Sequence, residues 1–267
     1  MESTKQICEK WYKQLSFPAQ YDHEFYKALD EIEISDAITI ENYNLKETDG
    51  KRNLLSYLYF CESVSQRYKE KGIPEDILMH TLGDLVIWTN VWSDLKGELY
   101  LGEIAWLSNH MKMRLFRLGS LEFIARKSLV SSETVALSEG DNILDVHIPN
   151  GAPLSPDNCH QSIAMAKAFY AKYYPEFEYH HIVSTTWLLD PTLDRFVGPQ
   201  SNIVNFRKMF TLIESHETYS AIRYVFKWNT TLETLPEAVC TSSLAEKMKQ
   251  YVLDGGKLYG CSGVIKV

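Results

Sequence analysis

Residues 142–157 read Asn142-Ile143-Leu144-Asp145-Val146-His147-Ile148-Pro149-Asn150-Gly151-Ala152-Pro153-Leu154-Ser155-Pro156-Asp157, and their reading decides the fold. The segment from Asn142 to Ile148 alternates in the manner of a strand. From Pro149 onward, breakers follow one another too densely for any regular element, so this stretch is a loop. Ser155 suits a helix N-cap, Pro156 suits the first turn, and Asp157 adds negative charge at the positive end of the helix dipole. The helix that starts there is expected to reach about Tyr174 and to stop before Pro175. A second β-rich run, Tyr179–Leu188, comes next.

Working outward from this strand, loop, helix and strand, the downstream chain predicts a short helix over Ser201–Phe210. Strands are predicted over Phe210–Glu214 and Ala221–Lys227, a helix over Ser243–Leu253 ended by Gly255-Gly256, and a last strand over Lys257–Val267. Upstream, Met113–Phe123 has strand composition, with Arg114, Arg117 and Glu122 toward water, and Thr134–Leu137 is a weaker strand. Before Arg114 the apolar spacing is helical. Asn53–Lys71 carries Leu54, Leu55, Leu58, Cys61, Val64 and Tyr68 at three- and four-residue steps. Gly72 ends that helix and Pro74 opens the next, expected to continue to Leu95 and to end at Gly97. Trp88, Trp92 and Trp106 follow the same spacing and read as packing for this part. The fold class is therefore α+β, with a helical N-terminal domain over residues 1–112 and a mixed α/β domain over 113–267.

The composition fits two globular cores. Of 267 residues, 45% are hydrophobic and 23% charged, which excludes a disordered chain. Lys and Arg number 27 against 35 Asp and Glu, a net charge of −8. Such a surface argues against a nucleic-acid or anionic-membrane partner and leaves room for a small phosphorylated ligand in a local pocket. There is no run of eighteen apolar residues and no apolar leader at the start, so a cytoplasmic protein is expected. The five cysteines are widely spaced, without Cys-x-x-Cys, and read as free thiols. The P-loop, the dinucleotide glycine fingerprint and Gly-x-Ser-x-Gly are all missing. His180 and His181 are adjacent and would point to opposite faces of a strand, so no metal site is expected.

Several stretches together carry a resemblance: Phe116–Phe123, His147–Ser155, Thr186–Pro191, Ser201-Asn202-Ile203, Leu235-Pro236 and Tyr259–Gly263. In this order they resemble a bacterial family of acyltransferase-domain proteins. Its members join a helical N-terminal domain to a C-terminal domain like the GCN5-related N-acetyltransferases (GNAT-like), which implies a mostly antiparallel central sheet over 113–267. The resemblance implies acetyl-CoA or another acyl-CoA as co-substrate, with a small-molecule amine or hydroxyl as acceptor. It also implies that the coenzyme pyrophosphate meets the start of the helix at Pro156, where unpaired N–H groups and the dipole suit an anion. The strand over Tyr179–Leu188 would splay from Asn142–Ile148 and leave a slot for pantetheine. Asn150, Gly151, Ala152 and Ser155 are then the cofactor-binding candidates. Two departures stand out. The superfamily loop Arg/Gln-x-x-Gly-x-Gly/Ala is here Asn150-Gly151-Ala152-Pro153-Leu154-Ser155, and residues 201–210 hold no Tyr for the general-acid role.

The catalytic candidates are His147, Asp190 and Glu122. A neutral imidazole at the strand end is a proton acceptor for an attacking amine; otherwise His147 merely hydrogen-bonds the following loop. Asp190 either orients an acceptor or, with Pro191, starts a turn. Glu122 is a general base if it faces a cleft and a plain surface residue if not. Trp187, Ser201 and Asn202 are substrate-binding candidates, against a core role for Trp187 and an N-cap role for Ser201. Three functions stay open: the acyl-CoA-dependent acyltransferase that the resemblance implies, a non-catalytic small-ligand-binding protein that retains the fold, and a hydrolase or other transferase using the same cleft without coenzyme A.

Overall fold

A computed structural model describes residues 2–266, and the chain divides into two compact units, Met1–Leu118 and Gly119–Val267. The first holds α1 (Thr4–Gln14), α2 (Asp22–Glu31), α3 (Gly50–Lys71), α4 (Glu75–Leu82), α5 (Asp84–Lys96), α6 (Ile104–Met111) and β1 (Leu115–Leu118). Its centre is α3. Asp49 caps the start by accepting from the amides of Lys51 and Arg52, and Gly72 closes the end at φ 70°. The helix buries Leu54, Leu55, Tyr57, Leu58, Cys61 and Val64. Cys8 and Trp11 of α1 are buried with them, and Tyr12 stacks on Phe25 at 3.7 Å between ring centroids. Gly50 has no alternative in this unit, because a Cβ there would lie 2.3 Å from the Tyr100 ring.

One helix was expected over Pro74–Leu95, and two are found. Gly83 interrupts it, and its carbonyl accepts from Val86 and Ile87 at 3.0 and 3.3 Å, so it caps α5 with its main chain. Periodicity missed this break because the apolar spacing continues across it.

The second unit holds β2 (Leu121–Lys127), β3 (Asn142–His147), α7 (Pro156–Tyr173), β4 (His181–Thr186), α8 (Asn202–Lys208), β5 (Thr211–Glu217), α9 (Ser220–Val225), α10 (Ser243–Leu253) and β6 (Tyr259–Lys266). These strands lie in the order β2-β3-β4-β6-β5. Only β3 and β4 are parallel; the other neighbours are antiparallel. A parallel pair needs a crossover, and α7 supplies it. It lies on the sheet face of Phe123, whose carbonyl accepts from Tyr170 Oη at 3.2 Å. On the opposite face Ile143, Val183 and Val264 form a buried cluster with Leu137, and Val130, Val135 and Ile213 pack around it. Both faces of the central strands are thus covered, which is why Ile143, Leu144, Ile182 and Val183 are all buried.

Three expectations for strands are corrected. Met113–Phe123 is broken by Gly119, at φ 74°, into β1 and β2. Residues 134 and 135 belong to a 3-10 turn, Glu133–Val135, and Leu137 makes a single bridge with Ser132. Ala221–Lys227 is largely the helix α9. There Ala221 and Ile222 enter a cluster with Leu193, Phe196, Leu235, Met248 and Leu258, and tertiary packing outweighs the strand preference of Ile222 and Val225. No helix among the described residues is long and apolar enough to cross a membrane.

Asp190 joins three parts of the second unit. One carboxylate oxygen accepts from the Thr192 amide at 2.8 Å and the other from the Tyr259 amide of β6 at 2.9 Å, while its carbonyl accepts from Arg207 of α8 at 3.2 Å. The residue is buried. Asp190→Ala leaves two amides without acceptors and is expected to cost about 3 kcal/mol. Urea denaturation checks this, and Asp190→Asn is expected to recover part of the loss.

Candidate active site

Among the described residues, the β3–β4 ladder is shorter than the ladders on either side of it. The parallel register of β3 and β4 runs from Ile143↔His181 to Asp145↔Val183. The β2–β3 register continues to Glu122↔His147, and β4–β6 continues to Thr186↔Cys261. Each strand thus stays paired to its outer neighbour beyond the point where the inner ladder ends. There a side chain takes over: Ser184 Oγ donates to the Val146 carbonyl at 3.0 Å. The C-terminal ends of β3 and β4 are therefore not ladder-paired with each other, and His147 sits at this opening of the ladder.

The loop after β3 turns at Pro149–Ala152, where the Ala152 amide donates to the Pro149 carbonyl at 3.0 Å and Gly151 takes φ 75°. That conformation favours Gly. Asn150 and Gly151 are exposed, and Ala152 and Ser155 half-buried. Ser155 is the N-cap of α7, its Oγ accepting from the Asn158 amide at 3.3 Å. Pro156 brings no N–H, and Asp157 adds a carboxylate to the first turn. An anion at this end would depend on main-chain donors, since residues 150–157 contain no Lys or Arg.

His147 has a partner that the sequence reading overlooked. Residues 145 and 147 share a sheet face, two apart on a strand. His147 Nε2 donates to Asp145 Oδ2 at 3.0 Å, and Arg126 Nε of β2 donates to the same oxygen at 2.7 Å. Burial by itself would raise the Asp145 carboxyl. The hydrogen bond from His147, with the charges of His147 and Arg126, outweighs burial and holds it below its ordinary range. An ionised carboxylate only accepts, so in the neutral ring the proton sits on Nε2 and the lone pair on Nδ1. A base, a buried carboxylate that fixes its tautomer and a cation behind that carboxylate form a chain of the kind that accepts a proton from a bound nucleophile. The alternation Asp145-Val146-His147 was the available signal; Arg126 is joined to it only by cross-strand register.

The other candidates are placed differently. Glu122 does not face water as expected. It is 1% exposed and lies directly across from His147 in the β2–β3 register. Asp190 has both carboxylate oxygens engaged by main-chain amides, which fits its turn role. Trp187 opens the 3-10 turn after β4, half-buried, and stacks on Tyr224 of α9 at 6.2 Å, with Trp228 edge-on to Tyr224 at 5.2 Å. Ser201 caps α8 through an acceptor contact to the Val204 amide at 3.3 Å, and Asn202 is the exposed first residue of that helix.

The family model described as GNAT-like C-terminal domain matches residues 115–265, and the one described as N-acyltransferase N-terminal domain matches residues 9–113. Among curated proteins none matches by sequence. An acyltransferase mutant solved with octanoyl-CoA superposes with a TM-score of 0.80 at 21% identity, covering 97% of this chain and 87% of its own. An acyltransferase solved with decanoyl-CoA and teicoplanin gives 0.78 at 19%, covering 100% and 89%. A further acyltransferase structure, with decanoyl-CoA, gives 0.70 at 22%, covering 100% and 81%. At these identities the likeness is one of fold. The helical first unit, the mixed sheet whose β3–β4 ladder stops early, and a domain match over more than half of the residues converge: the chain belongs to the family of acyltransferase proteins with a GNAT-like C-terminal domain.

Proposed function

We propose that the protein is an acyl-CoA-dependent acyltransferase that acylates the amine or hydroxyl of a small molecule. The observation that carries this reading is the hydrogen-bonded pair of His147 and Asp145 at the opening between β3 and β4. The structural neighbours add support, because they were solved with octanoyl-CoA, decanoyl-CoA or CoA. They also favour medium-length acyl chains over acetyl for this protein.

The residues around the opening fit such a coenzyme through main-chain donors. The exposed turn at Asn150 and Gly151 and the first turn of α7 after Ser155 would hold its phosphates. When bound, acyl-CoA supplies an activated thioester. The chain's own part is to take a proton and to position groups. His147 Nδ1 accepts the proton that the acceptor loses as it attacks, and Asp145 stabilises the imidazolium that results. Trp187 and Tyr224 offer an aromatic surface beyond the end of β4 for the acceptor or the acyl chain.

A second reading, a small-ligand-binding protein without catalysis, is favoured by one observation. At the start of α7, Pro156, Asp157 and the Ser155-capped amide together weaken the anion site. The two readings part in a single set of measurements. Acetyl-, octanoyl- and decanoyl-CoA are added to the protein and its melting temperature is followed; then CoA release is measured with a panel of primary amines. The expected result is a rise in Tm, largest with the longer chains, and amine-dependent release that drops roughly 100-fold or more in His147→Ala with the Tm rise retained. No Tm rise at millimolar acyl-CoA would sink the proposal, and a rise with no amine-dependent release would favour the binding protein.

The buried pair also has a pH signature. The Asp145 carboxyl is held below its ordinary value of 3.8 in the folded chain. Its contribution to stability is therefore complete above that value and is lost as the pH falls through the lower, folded-state value. Urea midpoints of the wild type should accordingly fall more steeply in acid than those of Asp145→Asn, with the two curves differing most near neutral pH.

A further inference from the structure

We propose that Arg126 is a positioning residue for the His147–Asp145 pair, giving the carboxylate a permanent counter-charge so that His147 can stand neutral, and ready to take a proton, beside it. This rests on the acyl-transfer reading for its purpose, but not for its test.

The Asp145 side chain is 5% exposed, and an ionised carboxylate taken out of water is costly unless it is paired. The neutral His147 ring gives it a hydrogen bond but no charge, and the imidazolium that would give it a charge cannot act as a base. Arg126 removes the conflict. Its guanidinium stays charged throughout the working pH range. It reaches Asp145 Oδ2 at 2.7 Å, closer than His147 at 3.0 Å. A second donor, Nη1, holds the guanidinium in place on the Lys127 carbonyl at 2.9 Å.

The register makes this geometry local and fixed. Ile124 pairs with Asp145 and Arg126 with Ile143, so Arg126 is the diagonal neighbour of Asp145 on the same face. Glu122 stands across from His147 on β2, Asp145 and Arg126 follow, and His181 of β4 lies level with Ile143. His181 is engaged with the Val135 carbonyl at 2.9 Å. Glu214 and His216 of β5 share that face by register, two strands beyond β4. The crossover helix α7 packs on the other face. Arg126 is thus the cation in direct contact with the Asp145 oxygen that His147 uses.

The test follows the imidazole signals of His147 by nitrogen-15 NMR from acid to alkaline pH, in the wild type, Arg126→Gln, Arg126→Met and Arg126→Lys, with no substrate added. The expected result is a His147 titration displaced to higher pH in Arg126→Gln and Arg126→Met, and close to wild type in Arg126→Lys, which keeps the charge. If either neutral variant fails to fold, the other supplies the reading, and circular dichroism identifies which is folded. In the acyl-transfer assay the neutral variants should lose roughly tenfold in rate near neutral pH and recover at higher pH. A neutral variant whose His147 titrates as in the wild type overturns the proposal, as does Arg126→Lys shifting as far as Arg126→Gln. Since the NMR titration needs neither coenzyme nor acceptor, its outcome is independent of whether the acyl-transfer reading holds.

Discussion

Two parallel strands that stop pairing before they end are the constraint on which this protein's candidate chemistry depends. Beyond Asp145 and Val183 the β3–β4 ladder gives way, yet each strand remains bound to its outer neighbour. The main chain at the opening is thus held from outside, and the gap is fixed by the rest of the sheet. The Ser184 hydroxyl, bonded to the Val146 carbonyl, satisfies one group that the missing ladder would leave bare in a buried place. The crossover helix α7 is anchored on one side of this opening by the Tyr170 bond to β2, and its first turn is presented on the C-terminal side of β3. One interruption in a ladder therefore lies beside a helix start and at a strand end that carries His147.

The second dependence is electrostatic. A carboxylate on the central strand of a sheet is out of place by any hydrophobic pattern, and local disagreement with the pattern is a mark of function. Asp145 is tolerated because two donors converge on one of its oxygens, and that convergence fixes the ring of His147. Asp190 shows the contrast. It too is buried and ionisable, but its oxygens meet main-chain amides in a turn and against β6, so it holds the structure together. Burial and charge alone do not separate the two cases; the identity of the partners does.

Much of this architecture was legible in the sequence. The helical first part, the strand at Asn142, the cap at Ser155 and the helix up to Tyr173 follow from local chemistry that tertiary contacts leave intact. The errors fall where tertiary contacts decide. Ala221–Val225 looks like a strand by composition and is a helix because its small and branched residues fill a cluster built by distant segments. Gly83 divides a helix whose apolar spacing gives no warning. At the site, His147 was legible as a strand-end histidine, and Asp145 was within reach through the period of two. Arg126 was not, because its role depends on a β2–β3 register set by the whole sheet. Glu122 was misjudged for the same reason: its charge predicted exposure, and its strand placed it in the interior.

The central claim is that the opening between β3 and β4 brings a thioester to His147. Its most direct test is a crystal structure of the protein with a non-reactive thioether analogue of decanoyl-CoA. The account predicts electron density for the analogue between the diverging strands, with the sulfur within about 5 Å of His147 Nδ1, close enough for an attacking amine to bridge the two. Density for the analogue elsewhere on the molecule, with the His147 and Asp145 pair untouched, would contradict it.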